Sequence, residues 1–271
     1  CERLCGDTRL SWRYASGAWR PILHGLSFDQ ESFVEALLKV LQSLPTNSFR
    51  IDKKMPFSAD DFRAAALAAP ASPDDRRDAD LIAAFGCDSL RDGDNFVDTA
   101  FRMVRSGDAA GQGFLHYAAA IREQTDVEHL RRTLFKRWDY ADDSYSLRWD
   151  PVEDSNYALR WRDPSKDAKN TMLGANSLAL EALLLFPAVP NGSRLETSGF
   201  HRHGRNMFFT WPIWESPLNV NAIRSLLVLR ELHVVDPNRL ALQERGIVTV
   251  YRSRRFAPNQ YYRNFTPANT V

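Results

Sequence analysis

YSLRWDPVEDSNYALRWRD, residues 145–163, states one pattern twice: Leu147-Arg148-Trp149-Asp150-Pro151 returns as Leu159-Arg160-Trp161-Arg162-Asp163-Pro164. Side chains alternate across a strand with period two. Read as strands, the first copy puts Tyr145, Leu147 and Trp149 on one face, and the second does the same with Tyr157, Leu159 and Trp161. The other face then carries Arg148, Arg160 and Arg162. Each Asp-Pro ends its strand, because proline offers the ladder no N–H and steers the preceding residue out of regular geometry. Val152–Asn156 is polar and short enough to close a hairpin. An aromatic core face backed by arginines suits either a solvated basic surface or a phosphate-binding one, and both readings stand at this point.

Outward from the hairpin, charge is uneven. The whole chain of 271 residues carries a formal net charge of +1. From Arg194 onward there are eleven arginines, no lysine and five acids, a net charge of +6 that leaves −5 for the residues before it. A region charged through arginine alone points to planar, bidentate contacts with phosphate or carboxylate. The composition is otherwise that of a globular protein, and no apolar run reaches the length of a membrane span. Cys1, Cys5 and Cys87 form no zinc-like pairing and are read as thiols of a reducing, cytoplasmic compartment. The opening Cys1–Cys5 reads as the tail of a helix whose start is missing.

Before the hairpin the chain reads mostly as helix. Thr8–Tyr14 alternates as a strand and turns at Ser16-Gly17. Ser27 and Gln30 have capping-box spacing ahead of an apolar stripe, Phe33, Val34, Leu37, Leu38, Leu41 and Leu44, that Pro45 ends. Ser58 with Asp61 starts a second helix, and Ser72-Pro73 starts a third that Gly86 closes. Asp74, Asp75, Asp78 and Asp80 fit a helix N-terminus better than a metal cluster. Phe96–Val104 suits strand or helix, and residues 107–113 form a loop without a phosphate-loop motif. Phe114–Gln124 and Asp126–Trp138 follow as helices, where His116 and His129 have no ligand partner one turn on.

After the hairpin, Asn170–Phe186 is apolar around most of its circumference and predicts a buried helix, with Gly174-Ala175 allowing close backbone approach. Arg194–Phe200 and Met207–Trp211 predict a second hairpin with residues 201–206 as its loop. Asn219 caps a helix, Asp236-Pro237 opens a short one, and Ile247–Phe256 is a further strand. The fold expectation is α+β: a mostly helical part, 1–140, packed with a part of antiparallel hairpins and helices, 141–271, as one unit.

No C-x-x-C, H-E-x-x-H or G-x-S-x-G occurs, so no metal or cofactor is expected. His201 and His203 are the weak catalytic candidates, two apart and facing one way beside Arg202 and Arg205; the arginines disfavour a metal there. The stronger constellation is nucleic-acid-binding: Arg148, Arg160, Arg162, Arg202, Arg205, Arg252, Arg254, Arg255 and Arg263, interleaved with Trp149, Trp161, Trp211, Tyr251 and Tyr261. Arginines hold phosphates and exposed aromatics stack on unpaired bases.

LRWDP…YALRWRDPS, Gly174–Ala179, Phe186-Pro187, Thr197–Phe200, Trp211-Pro212-Ile213-Trp214, Arg224–Leu227 and Arg255 to Ala268 resemble, in that order, an accessory family of type I-G (formerly I-U) CRISPR–Cas loci. That family is described as an extension of the helicase–nuclease. The likeness runs from about Trp138 to the end and is looser in the first half, through Arg9-Leu10-Ser11-Trp12 and the following helix, with Cys1–Gly6 similar to the tail of the first helix of such proteins. It implies a cytoplasmic antiviral-defence subunit whose partners are guide RNA or target DNA, other Cas proteins of the effector complex, or the helicase–nuclease. The residues leave two alternatives, a nuclease using the His201/His203 loop and an adaptor for acidic protein surfaces.

Overall fold

A computed structural model describes residues 4–70, 72, 75–103, 113–153, 170–257 and 263–271. The elements begin with β1 Arg9–Ala15, β2 Ala18–His24, α1 Gln30–Ser43, α2 Ala59–Ala68, α3 Arg77–Phe85, β3 Gly86–Asp92 and β4 Asn95–Asp98. Next come α4 Phe114–Gln124, α5 Val127–Phe135, β5 Asp142–Asp143, β6 Asn170–Thr171, α6 Leu173–Ala182, β7 Ala188–Asn191 and β8 Arg194–Thr197. The chain finishes with β9 Phe200–His203, β10 Asn206–Trp214, α7 Val220–Leu227, α8 Arg239–Gln243, β11 Ile247–Phe256, β12 Asn264–Phe265 and β13 Asn269–Thr270. The fold is mixed α+β with antiparallel strands, and the first 140 residues carry two hairpins alongside their helices. No helix among the described residues is long and apolar enough to cross a membrane.

The contacts separate into two compact units: Cys1–Val40 with Ser198–Arg255 and Thr266–Val271, and Leu41–Thr197 with Phe256–Phe265. The units interleave along the chain, so the boundary expected near residue 140 is not where contacts thin out.

In the first unit β9, β10 and β11 form an antiparallel sheet, and β13 pairs with β11. Pro212 lies opposite Val250 in β10. Val250 O accepts from Val271 N at 3.0 Å, on the side away from β10. Pro212 therefore occupies a non-hydrogen-bonded pair, and β9, which pairs no further along β10 than Phe209, asks for no N–H there. Leu232, Leu242, Ile247 and Val250 make a buried cluster, with Leu226, Leu229 and Val271 packed on it. The hairpin β1–β2 is anchored by Trp12 edge-on to Trp214 at 6.2 Å and by Trp214 Nε1 donating to Leu10 O at 2.8 Å. Helix α1 starts later than its Ser27 signal: Asp29 Oδ1 accepts from Ser32 N at 2.8 Å, so the aspartate caps the first turn.

The second unit has a phenylalanine core, with Phe57 and Phe62 against Phe96 at 4.9 and 4.3 Å. Ser58 caps α2 as its spacing predicts, accepting from Asp61 N at 3.0 Å. Helix α3 begins at Arg77, later than Ser72-Pro73 suggested. At Gly174 a Cβ would stand 2.4 Å from His129 O, so the glycine lets α6 press on the backbone of α5. Arg77 enters the interior and closes a bidentate pair with Glu181, 2.6 and 2.9 Å, while Arg122 lies 3.3 Å from the same carboxylate.

The hairpin expected at 145–163 is corrected where it is described. Residues 145–153 contain no strand. Arg148 has φ +57°, its N–H donating to Ser146 Oγ at 2.9 Å, and Asp150 Oδ1 accepts from Val152 N at 2.9 Å. These local side-chain bonds turn the chain instead of extending it. The inward residues are nevertheless as read: Leu147 is fully buried, and Trp149 Nε1 donates to Phe101 O at 2.8 Å. The second copy, with Arg160, Trp161 and Arg162, lies outside the described residues.

Candidate nucleic-acid interface

The sequence IVTVYRSRRF alternates, and its register with β10 decides which arginines meet. Arg252 lies opposite Thr210 and Arg254 opposite Phe208, while Phe208 also faces His201 and Asn206 faces His203 across β9. Directly opposed residues share a face of the sheet. One face thus gathers His201, His203, Asn206, Phe208, Thr210, Arg252 and Arg254.

A cavity of about 520 Å³ opens on that face, lined by His201, His203, Asn206, Phe208, Arg252 and Arg254 together with Val235, Thr266, Asn269 and Val271. Its size is that of a small-ligand or nucleotide pocket. No aspartate or glutamate side chain lines it among the described residues. His201 stacks on Phe208, ring centres 5.5 Å apart and planes at 20°.

Arg252 is held entirely by neutral acceptors. Its Nε donates to Thr210 Oγ1 at 3.2 Å, Nη1 to Val235 O at 2.9 Å, and Nη2 to Leu232 O and Val234 O at 3.1 and 2.7 Å. Burial pushes its proton affinity down and no carboxylate pushes it back. Guanidinium stays charged even so. The field it leaves is visible on its neighbours. Burial first, then Arg252, His233 and His203, holds His201 down to about 4, and burial and Arg252 also lower His233 despite the Leu227 carbonyl it bonds.

Both rings are therefore neutral at pH 7, and a carbonyl partner fixes the tautomer of His233. His233 Nε2 lies 3.1 Å from Leu227 O, a pure acceptor, so the proton is on Nε2. Thr210, fully buried, accepts from Arg252 and lies 3.4 Å from His201 Nδ1. A ring held neutral down to about pH 4 is a feeble general base.

His201 and His203 thus stand on strand β9, where a loop was expected, because Gly204 at φ +57° closes a tighter turn with Arg205. The other predicted residues part company. Arg202 and Arg255 face Met207 on the opposite side of the sheet. That side carries Phe200, Phe209, Trp211 and Tyr251, the last two stacked at 5.9 Å. Aromatics interleaved with arginines in sequence are separated from Arg252 and Arg254 by the strand's own alternation. Arg148 and Arg263 belong to the second unit, and Arg263 Nη1 reaches Arg102 O at 3.4 Å. Tyr261 lies outside the described residues. The sequence reading missed Val235 and Asn269, which line the groove only through tertiary pairing, and His233, whose ring lies 5.7 Å from that of His201.

The cysteines described, Cys5 and Cys87, are free thiols, and no cluster of three metal-ligating side chains occurs among the described residues. No protein-family model matches the chain, and no curated protein does.

Proposed function

We propose that the chain is a non-enzymatic subunit of a type I CRISPR-associated defence system that binds nucleic acid through this groove and docks with other Cas proteins or the helicase–nuclease. Its setting is the cytoplasm. The system is suggested by the ordered motifs from Trp138 onward, and nucleic acid by the groove. One observation carries the binding: a charged arginine fixed by four neutral acceptors, beside a second arginine and two histidines, with no acidic side chain among the described lining residues. Its described lining residues offer positive potential and donors without an acidic side chain, and phosphate suits both.

Binding to single-stranded and duplex DNA and RNA, followed by fluorescence anisotropy across a salt series, tests this. Affinity falls steeply with salt, and Arg254→Gln lowers the slope of log K against log salt by about 0.7–0.9. A flat salt response, or no binding, ends the nucleic-acid reading and leaves the adaptor for acidic protein surfaces. Cleavage lost in His203→Ala replaces it with the nuclease reading.

A further inference from the structure

Away from the groove, the hairpin β1–β2 carries Arg9, Arg13 and Arg20 and no acid between Arg9 and His24. The strands pair in unbroken register, with Arg13 directly opposite Arg20, Tyr14 opposite Trp19 and Arg9 opposite His24. One face therefore holds all three arginines. Like charges placed directly across a strand pair are destabilising, and neither Arg13 nor Arg20 has an ion-pair or hydrogen-bond partner among the described residues. Both are exposed.

The other face is apolar, and it is used twice. Toward the base Trp12 packs on Trp214 and is tied into the unit. Toward the tip Tyr14 lies edge-on to Trp19 at 5.4 Å and stays 60% exposed. The tip closes through Ser16 at φ +52° and Gly17 at φ +80°. The hairpin is a stiff arm: anchored at its base, presenting two unpartnered guanidiniums on one side and an open aromatic pair on the other.

We propose that the tip of β1–β2 is a second, separate contact for single-stranded nucleic acid, with a backbone phosphate bridging Arg13 and Arg20 on one face and the strand passing over the tip so that an unpaired base further along stacks on Tyr14 on the other. A phosphate between the guanidiniums converts their repulsion into two charge-assisted pairs. An exposed ring accepts any base, whereas paired bases offer it no face. The ligand class is that of the proposed groove, but nothing in the hairpin's argument depends on the groove's residues.

The experiment compares the intact chain with Arg13→Gln/Arg20→Gln, Tyr14→Ala and Arg254→Gln, each first matched to the parent by thermal melt. Anisotropy is read on a 20-nucleotide single strand and on the duplex of the same sequence. The double arginine variant weakens single-strand binding and flattens its salt slope by about 0.7, one phosphate contact's worth. Tyr14→Ala weakens it on the order of 10-fold with the slope unchanged, and leaves duplex binding as it was. Parental affinity in both hairpin variants overturns the proposal, as does equal loss on duplex and single strand. Loss in Arg254→Gln alone keeps the groove and removes the hairpin; loss in the hairpin variants alone does the reverse.

Discussion

Arg122 in the second unit and Arg252 in the first are both buried far enough to lose proton affinity, yet their surroundings differ in kind. Arg122 sits with Arg77 around Glu181, and the carboxylate offsets part of the penalty of burial. Arg77 adds Pro45 O at 2.7 Å, and Arg122 adds Leu41 O, so the cluster staples loop, helix and helix. Arg252 has carbonyls and a hydroxyl but no carboxylate. Dipoles solvate a cation without cancelling it. The second unit settles its buried charge internally and has no electrostatic use for a ligand at that cluster; the first exports its charge into a groove.

Removing the shared carboxylate is the harshest break. Glu181→Gln leaves Arg122 without its carboxylate and Arg77 with Asp78 alone, at 3.2 Å, and losing one partner of a buried ionic cluster is worth about 3–5 kcal/mol. Urea denaturation measures it. A loss below about 1 kcal/mol means that Arg77 and Arg122 are hydrated, and the contrast with Arg252 collapses.

Arg252→Gln is the matching change in the first unit. It leaves the carbonyls of Leu232, Val234 and Val235 without their donor, but the segment is partly exposed and water replaces much of what is lost. About 1–2 kcal/mol of destabilisation follows, less than at Glu181. A loss as large as that of Glu181→Gln makes Arg252 a structural staple first and a ligand contact second.

The sequence and the fold meet unevenly, and the reasons are local. Helices α2 and α7 were legible because their caps, Ser58 and Asn219, are written beside their apolar stripes. Strand β11 was legible from alternation, which also put Arg252 and Arg254 on one side. The hairpin at Leu147–Trp149 failed because Ser146 and Asp150 bond to nearby backbone N–H groups, and period two says nothing of such competition. His201 and His203 were found as a pair but not their environment. The neutral state of His201 comes from burial first and then from Arg252 and His233, which are distant in sequence and brought to it only by the tertiary fold. Arg13 and Arg20 escaped notice because their spacing matters only once β1 and β2 are in register.

The smallest effect is a pH response confined to the first unit. His201 is held at about 4, below the 6.5 of an unfolded histidine, and His233 is shifted the same way. Lowered histidines bind protons in the unfolded chain before the folded one, so their stabilisation is complete above pH 6.5 and drains away as pH falls toward 4. The cationic groups that face His201 are Arg252 on β11 and, once protonated, His203 and His233. No carboxylate among its causes works against them. Solvent reaches the half-buried ring and screens part of the effect, so the change is modest. Thermal melts at pH 7.0 and pH 5.5 resolve it: the native chain loses melting temperature over that interval, and His201→Gln loses measurably less. Identical losses in the two proteins mean that carboxylates elsewhere carry the pH dependence and that Arg252 does not govern the charge of its groove. A bound oligonucleotide should reduce the loss at that site, since phosphate beside Arg252 raises histidine proton affinity; the complex then gains, relative to the free chain, as pH falls from 7.0 to 5.5.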